Sequence, residues 1–271
     1  MSQTSSSEPG PSAERRGELE KNLAEVRNRI AAACAAAGRD PGEITLIAIT
    51  KTQPPSDVLL LHELGLTDFG ENKDQEAAPK AAACAAALAA DADADADADV
   101  DVGPSAGPAG RSQPLRWHFV GQLQTNKASS VAGYADVVHS VDRARLVRAL
   151  GAAARKAGRE LTCLVQVDLD TPADPARGGV PPAQVREIAE AIEAEQALTL
   201  GGVMAIAPLG ADPAAAFAPL RSCSLAVRAV RPEATIISAG MSGDLEAAIG
   251  NGATHVRIGT ALLGARRPLV R

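Results

Sequence analysis

Rings are scarce in this chain. Trp117 and Tyr134 are its single tryptophan and tyrosine, and aromatic residues make up 2% of its 271 residues. Stacked nucleobases or sugars are usually held by several rings, so ligands of that kind are disfavoured. An excess of basic residues is also missing. The net charge is −6, so no global attraction draws the chain to nucleic acid or anionic lipid. Its four cysteines, Cys34, Cys84, Cys163 and Cys223, form no C-x-x-C pair, which argues against zinc or a redox dithiol. No metal site is expected. No secretory signal precedes the cysteines, so they read as reduced thiols of a cytoplasmic protein. Cys34, Cys163 and Cys223 fall in apolar segments, as packing residues do. No apolar run of membrane-spanning length is free of charge.

Aliphatic residues fill the gap that the rings leave. Hydrophobic residues are 46% of the chain, enough for one substantial core. Short β-branched runs at 44–50, 67–72, 116–121, 136–141, 161–169, 200–206, 235–240 and 255–261 alternate with Ala-rich amphipathic stretches. Such alternation implies a parallel sheet with right-handed crossovers. Eight strands just close a barrel, and aliphatic layers fill a barrel interior. The expected fold is therefore α/β, a single (β/α)8 TIM-type barrel over 14–271, with an extra N-terminal helix at about 14–37. A doubly wound open sheet is the runner-up, disfavoured because no G-x-G-x-x-G follows the first strand. Residues 1–13 are Ser/Pro-rich and read as a disordered tail. Residues 81–114 carry an Asp-Ala repeat ending in Gly and Pro. They read as a disordered surface insertion, because like charges at every second position repel.

In such a barrel, active groups gather at the C-terminal strand ends. Lys51 follows ITLIAIT (44–50), and a lysine amine is what a carbonyl needs for Schiff-base formation. Taken alone, Lys51 is as readily an ordinary loop lysine. Near the C-terminus, Ser242 stands where it can cap the helix DLEAAIGNG. The eighth run carries Arg257, Gly259 and Thr260. Loops after strands seven and eight are the usual phosphate site of a barrel, and helix N-termini attract anions. Glu71, Asn72, His118, Lys127, His139, Arg177 and Met204 fall at or near other strand ends. The histidines read first as hydrogen-bonded core residues, Met204 as core, and Glu71 as the partner of a basic neighbour. His62, on a helix, reads as a surface residue.

The ordered motifs ITKTQP, FGENKDQEA, WHFVGQLQTNKA, VHSVDR, LVQVDLD, GGVMAI and SAGMSGDLEAAI…HVRIGTALLGAR resemble the pyridoxal phosphate homeostasis protein family. The resemblance covers all but the N-terminal tail and the Ala/Asp segment. It implies a barrel like the N-terminal domain of alanine racemase, with pyridoxal 5′-phosphate (PLP) as a Schiff base on Lys51. It further implies Asn72 near the cofactor ring, Met204 packed against it and Arg257 by the pyridine nitrogen or phosphate. Ser242, Gly259 and Thr260 would take the phosphate. Arg177 and Lys73 stand where relatives often carry other residues. The implied role is a non-catalytic carrier or buffer of PLP within intracellular vitamin B6 homeostasis, with PLP-dependent acceptor enzymes as partners. The alternative is a racemase-type enzyme using the same lysine. Racemisation needs a second acid/base, and Tyr134 is expected away from the ring. Because the chain ends soon after strand eight, without a second domain, a monomer is expected.

Overall fold

The computed structural model describes residues 11–97, 113–170 and 177–264. Eight parallel strands close into a barrel in sequence order. They are β1 (Thr45–Ile49), β2 (Asp68–Glu71), β3 (Arg116–Phe119), β4 (Val137–Val141), β5 (Leu161–Val167), β6 (Leu198–Ala205), β7 (Ile236–Ser238) and β8 (His255–Ile258). Closure is made by β8 against β1, with Arg257 opposite Ile47. Helices fill the crossovers: α2 (Pro55–Glu63), α3 (Asp74–Asp97), α4 (Ala128–Tyr134), α5 (Ala144–Ala157), α6 (Val185–Glu193), α7 (Pro213–Arg228), α8 (Leu245–Gly250) and α9 (Thr260–Leu263). The expected barrel is present, and the open sheet is excluded.

The leading helix, α1 (Pro11–Ala37), opens with proline, whose fixed φ suits a first turn. It begins three residues before the expected boundary, so residues 11–13 are helical. Residues 1–10 lie outside the described residues. Leu19, Leu23, Val26, Ile30 and Cys34 recur at three- and four-residue intervals and are all buried, which makes one apolar stripe. That stripe packs with Leu245, Ile249, Leu262 and Leu263 of α8 and α9. Polar ties reinforce it. Arg15 Nη2 meets Asp57 Oδ2 at 2.6 Å and the Leu263 carbonyl at 3.1 Å, and Asn22 Nδ2 donates to the Leu262 carbonyl at 3.0 Å. The extra helix thus braces the loop that follows β8.

The expectation of disorder over 81–114 is corrected for its first half. Residues 81–97 continue α3 as helix, because alanine has the best intrinsic helix propensity and straight runs of it outweigh the repulsion of spaced aspartates. Residues 98–112 lie outside the described residues. The expected packing role of the cysteines holds, and Cys84 joins them: all four are free and buried. Burial pushes the thiols up, Cys84 to about 11 and Cys163 to about 12. His62, expected at the surface, is 2% exposed instead. Its Nδ1 lies 3.0 Å from the Leu66 carbonyl, which ties the end of α2 to the turn leading into β2.

The lumen departs from the aliphatic filling expected. Val137, Leu164 and Met204 form a small cluster with Ile206 and Ile236 alongside. Polar side chains are buried there as well: His118, His139, Ser238 and Arg257 are each at most 4% exposed.

Candidate functional site

A pocket of about 240 Å³ opens at the C-terminal ends of β1, β7 and β8. Lys51, Gln53, Ser242, Arg257, Gly259 and Thr260 are among its lining residues. The structure therefore gathers five of the seven residues picked from sequence. Asn72 and Met204 do not line this pocket. Asn72 is half-buried, its carbonyl against Gly121. Met204 lies in the small lumen cluster.

Lys51 occupies a tight turn. Gln53 N donates to the Thr50 carbonyl at 3.0 Å, placing Lys51 and Thr52 at the two central positions. Thr52 has φ +64, the one non-glycine positive φ among the described residues. That region is unfavourable for a β-branched side chain. The turn is held by its surroundings. Thr52 N donates to Glu76 Oε2 at 3.2 Å. Thr50 Oγ1 donates to Glu71 Oε1 at 2.7 Å, and Lys80 Nζ donates to the Thr50 carbonyl at 2.7 Å and also to Glu71. The Lys51 side chain is half-buried. Among the described residues its amine has no hydrogen-bond or ion-pair partner.

Glu71 pairs with a basic neighbour, as its sequence position suggested. Its carboxyl is fully buried, and its Oε2 has no partner. Burial raises it above the usual carboxylate range, more than Lys80 and Thr50 lower it. Lys80 was not picked out from sequence. The available signal was a single cation inside an otherwise apolar Ala-rich run.

Arg257 enters from β8. Its Nη1 donates to Ser238 Oγ at 2.7 Å and its Nη2 to the Ala205 carbonyl at 2.9 Å. Burial lowers it to about 10. Gly240 turns the chain after β7 at φ +90, where a Cβ would sit 2.7 Å from Ala248 Cβ, so only glycine fits. Ser242 does not cap α8, whose first turn begins after Asp244. Its hydroxyl instead accepts from Ala261 N at 3.3 Å, joining the two loops. A Cβ added at Gly243 would meet nothing within 4 Å, so this edge is an open cradle.

Other polar positions lie elsewhere. Arg177 is held by Asp170 Oδ1 at 3.2 Å and the Ala207 carbonyl at 2.8 Å. Lys73 is exposed, 3.9 Å from Glu76, and Lys127 lies 3.8 Å from Asp74. A larger groove of about 970 Å³ runs between α2, α3 and α4, lined by Leu59, Ala81, Leu88, Trp117 and Tyr134 among others. It is mostly apolar, and its Arg159 is engaged by Asp136 at 2.7 Å. The convergent amine, guanidinium and hydroxyls are in the smaller pocket, so the chemistry is placed there. Among the described residues no cluster of three His, Cys, Asp or Glu could hold a metal ion, and no helix is long and apolar enough to cross a membrane.

Comparison with known proteins gives a consistent picture. The family described as alanine racemase, N-terminal domain, matches residues 17–267. The pyridoxal phosphate homeostasis protein of Mycobacterium tuberculosis is 44% identical over 263 residues, covering 94% of this chain and 95% of that protein. Its namesake in Escherichia coli is 34% identical over 252 residues, covering 92% and 97%. Among solved structures, PipY of Synechococcus elongatus without PLP superposes with TM-score 0.71 at 30% identity, covering 91% of this chain and all (100%) of that one. PipY has also been solved with PLP bound, with TM-score 0.69 at 29% identity and the same coverage. Alanine racemase of Corynebacterium glutamicum, at 12% identity and TM-score 0.56 over 91% of this chain and 60% of its own, shares the fold. The chain belongs to the alanine racemase N-terminal domain family, within its pyridoxal phosphate homeostasis protein branch.

Proposed function

We propose that this protein binds pyridoxal 5′-phosphate and serves intracellular PLP homeostasis as a carrier or buffer. One observation carries the reading. Among the described residues, the amine of Lys51 has no partner, it shares a small pocket with Arg257 and the Ser242, Gly243, Gly259 and Thr260 loops, and no carboxylate lines that pocket. Two cations, three hydroxyls and an open glycine edge suit a phosphorylated carbonyl compound, because anions are held by convergent cations and N–H or O–H donors. When bound, PLP supplies an aldehyde carbon for a Schiff base with Lys51. The loops after β7 and β8, with Ser242, Gly259 and Thr260, would hold the phosphate. Arg257 would sit by the pyridine nitrogen or the phosphate. Asn72 would lie near the ring and Met204 against it, although neither lines this pocket.

Carriage is favoured over turnover by the lining itself. Proton transfer on both faces of a bound substrate needs two positioned groups of suitable pKa. Among the described residues, no His, Tyr, Cys, Asp or Glu joins Lys51 in the pocket. Tyr134 lies in α4 and lines the apolar groove. The related proteins' name and the PLP-bound PipY support the same cofactor. We place the protein in the cytoplasm as a monomer that exchanges PLP with acceptor enzymes.

The test is an absorbance titration with PLP, followed by borohydride reduction and peptide mapping. A yellow band that reduces to a stable adduct on Lys51 is expected. Lys51→Ala should lose the adduct and retain weak, phosphate-anchored binding. An adduct on another peptide, or none in the unsubstituted chain, overturns the assignment. Steady product formation across an amino-acid panel, abolished in Lys51→Ala, would favour the racemase-type alternative.

A further inference from the structure

Five polar side chains run in line through the lumen. Asp68 Oδ1 lies 2.8 Å from His118 Nε2, and His118 Nδ1 lies 2.9 Å from His139 Nε2. His139 Nδ1 lies 3.0 Å from Ser238 Oγ, which Arg257 Nη1 reaches at 2.7 Å. These residues come from β2, β3, β4, β7 and β8. Strands β4 and β7 are not neighbours in the barrel, so the His139–Ser238 contact crosses it. Asp68 opens β2 at the N-terminal end of the barrel, and Arg257 lines the pocket at the other end. A buried polar array is costly unless every donor meets an acceptor.

The ends dictate its direction. A carboxylate only accepts, and a guanidinium only donates. Asp68 therefore accepts from His118 Nε2–H. A neutral imidazole has one N–H, so His118 Nδ1 is an acceptor and His139 Nε2–H is its donor. His139 Nδ1 is then bare, and it accepts the Ser238 hydroxyl hydrogen. Ser238 Oγ in turn accepts from Arg257. With Asp68 ionised and both rings neutral, this single arrangement satisfies every link. The electrostatics agree. Burial pushes His118 and His139 below the ordinary histidine value. Burial raises Asp68, but hydrogen bonds from His118 and Thr67 outweigh it and leave the carboxyl below its usual value.

We propose that Asp68, His118, His139 and Ser238 are positioning residues, a one-way hydrogen-bond chain that aims Arg257 into the Lys51 pocket and couples that pocket to the charge of Asp68. Arg257 spends one hydrogen on Ser238 and one on the Ala205 carbonyl. Among the described residues its other N–H donors have no partner, which leaves them for a pocket occupant. The tautomer assignment is independent of the cofactor. The effect on affinity rests on the function proposed above.

Nitrogen-15 NMR of the imidazole rings, on the full chain near neutral pH, reads the tautomers directly. His118 and His139 should both be neutral with the hydrogen on Nε2. Asp68→Ala should give mixed tautomers at both rings. If that variant does not fold, Asp68→Asn should do the same, since an amide can either donate or accept. Ser238→Ala, nearly isosteric, should weaken PLP binding about tenfold, the equivalent of one charge-assisted hydrogen bond, with little change in thermal midpoint. A charged ring, an Nδ1–H on either ring, tautomers unmoved in the Asp68 variants, or unchanged affinity in Ser238→Ala overturns the proposal. If the unsubstituted chain does not bind PLP at all, the function reading falls, and the tautomers alone still decide this one.

Discussion

Lys51 and Thr52 show how one residue can be legible and its neighbour not. A lysine at the end of an apolar strand stands out in the sequence, and Lys51 lines the pocket. The turn that presents it does not stand out, because nothing in ITKTQP specifies a left-handed threonine. That conformation is imposed by tertiary ties from Glu71, Glu76 and Lys80. Positive φ at a β-branched residue costs about 1–3 kcal/mol. Thr52→Gly should therefore raise stability by about 1 kcal/mol, after allowing for glycine's greater freedom in the unfolded chain. Denaturant unfolding measures it. An unchanged or lower midpoint would mean that the side chain makes compensating contacts. The same variant should loosen Lys51, so tighter PLP binding is not expected.

Element boundaries were legible wherever hydrophobic period and turn chemistry agreed, and all eight strands fall within their predicted runs to about two residues. The exception is α3. Its charge pattern suggested a repelling coil, whereas its alanines make helix. The helix has two parts of different character. Up to Cys84 it is anchored: Ala77, Lys80, Ala81 and Cys84 are buried, and Lys80 clamps the ends of β1 and β2. Beyond Cys84, through Ala92, it is exposed or half-buried. Proline in a helix interior costs about 3 kcal/mol or more. Ala83→Pro should therefore lower stability by about that amount. Ala90→Pro should reduce helical circular dichroism with a change in thermal midpoint near zero. A large fall for Ala90→Pro would show that the distal stretch packs more tightly than its exposure indicates.

At the scale of the whole molecule, the closed barrel was legible and the contents of its lumen were not. His139 and Ser238 are 99 positions apart, and Asp68 and His118 are 50 apart. No local pattern announces such pairs, and each histidine read alone is a core residue. Together they make folding sensitive to acid. Burial lowers His118, His139 and His255 below 6.5, His255 to about 4. Between those values the unfolded chain binds protons that the native state refuses, so stability falls as pH falls. Asp68, also lowered, adds to the loss at still lower pH. Glu71, raised above 4.5, works the other way, stabilising below that value and losing the effect as pH rises. Thermal midpoints should decline from pH about 6.5 toward pH about 4. A flat profile across that window would mean that the buried rings accept protons without cost.

The four buried thiols have a further consequence. Reaction with a disulfide reagent or an alkylating agent requires a thiolate that solvent can reach, and burial denies both in the native state. Each sulfur becomes reactive only while its own element is open. Cys34 in α1, Cys84 in α3, Cys163 in β5 and Cys223 in α7 are therefore four built-in clocks. Their labelling rates would report opening free energies around the barrel, element by element, without any substitution.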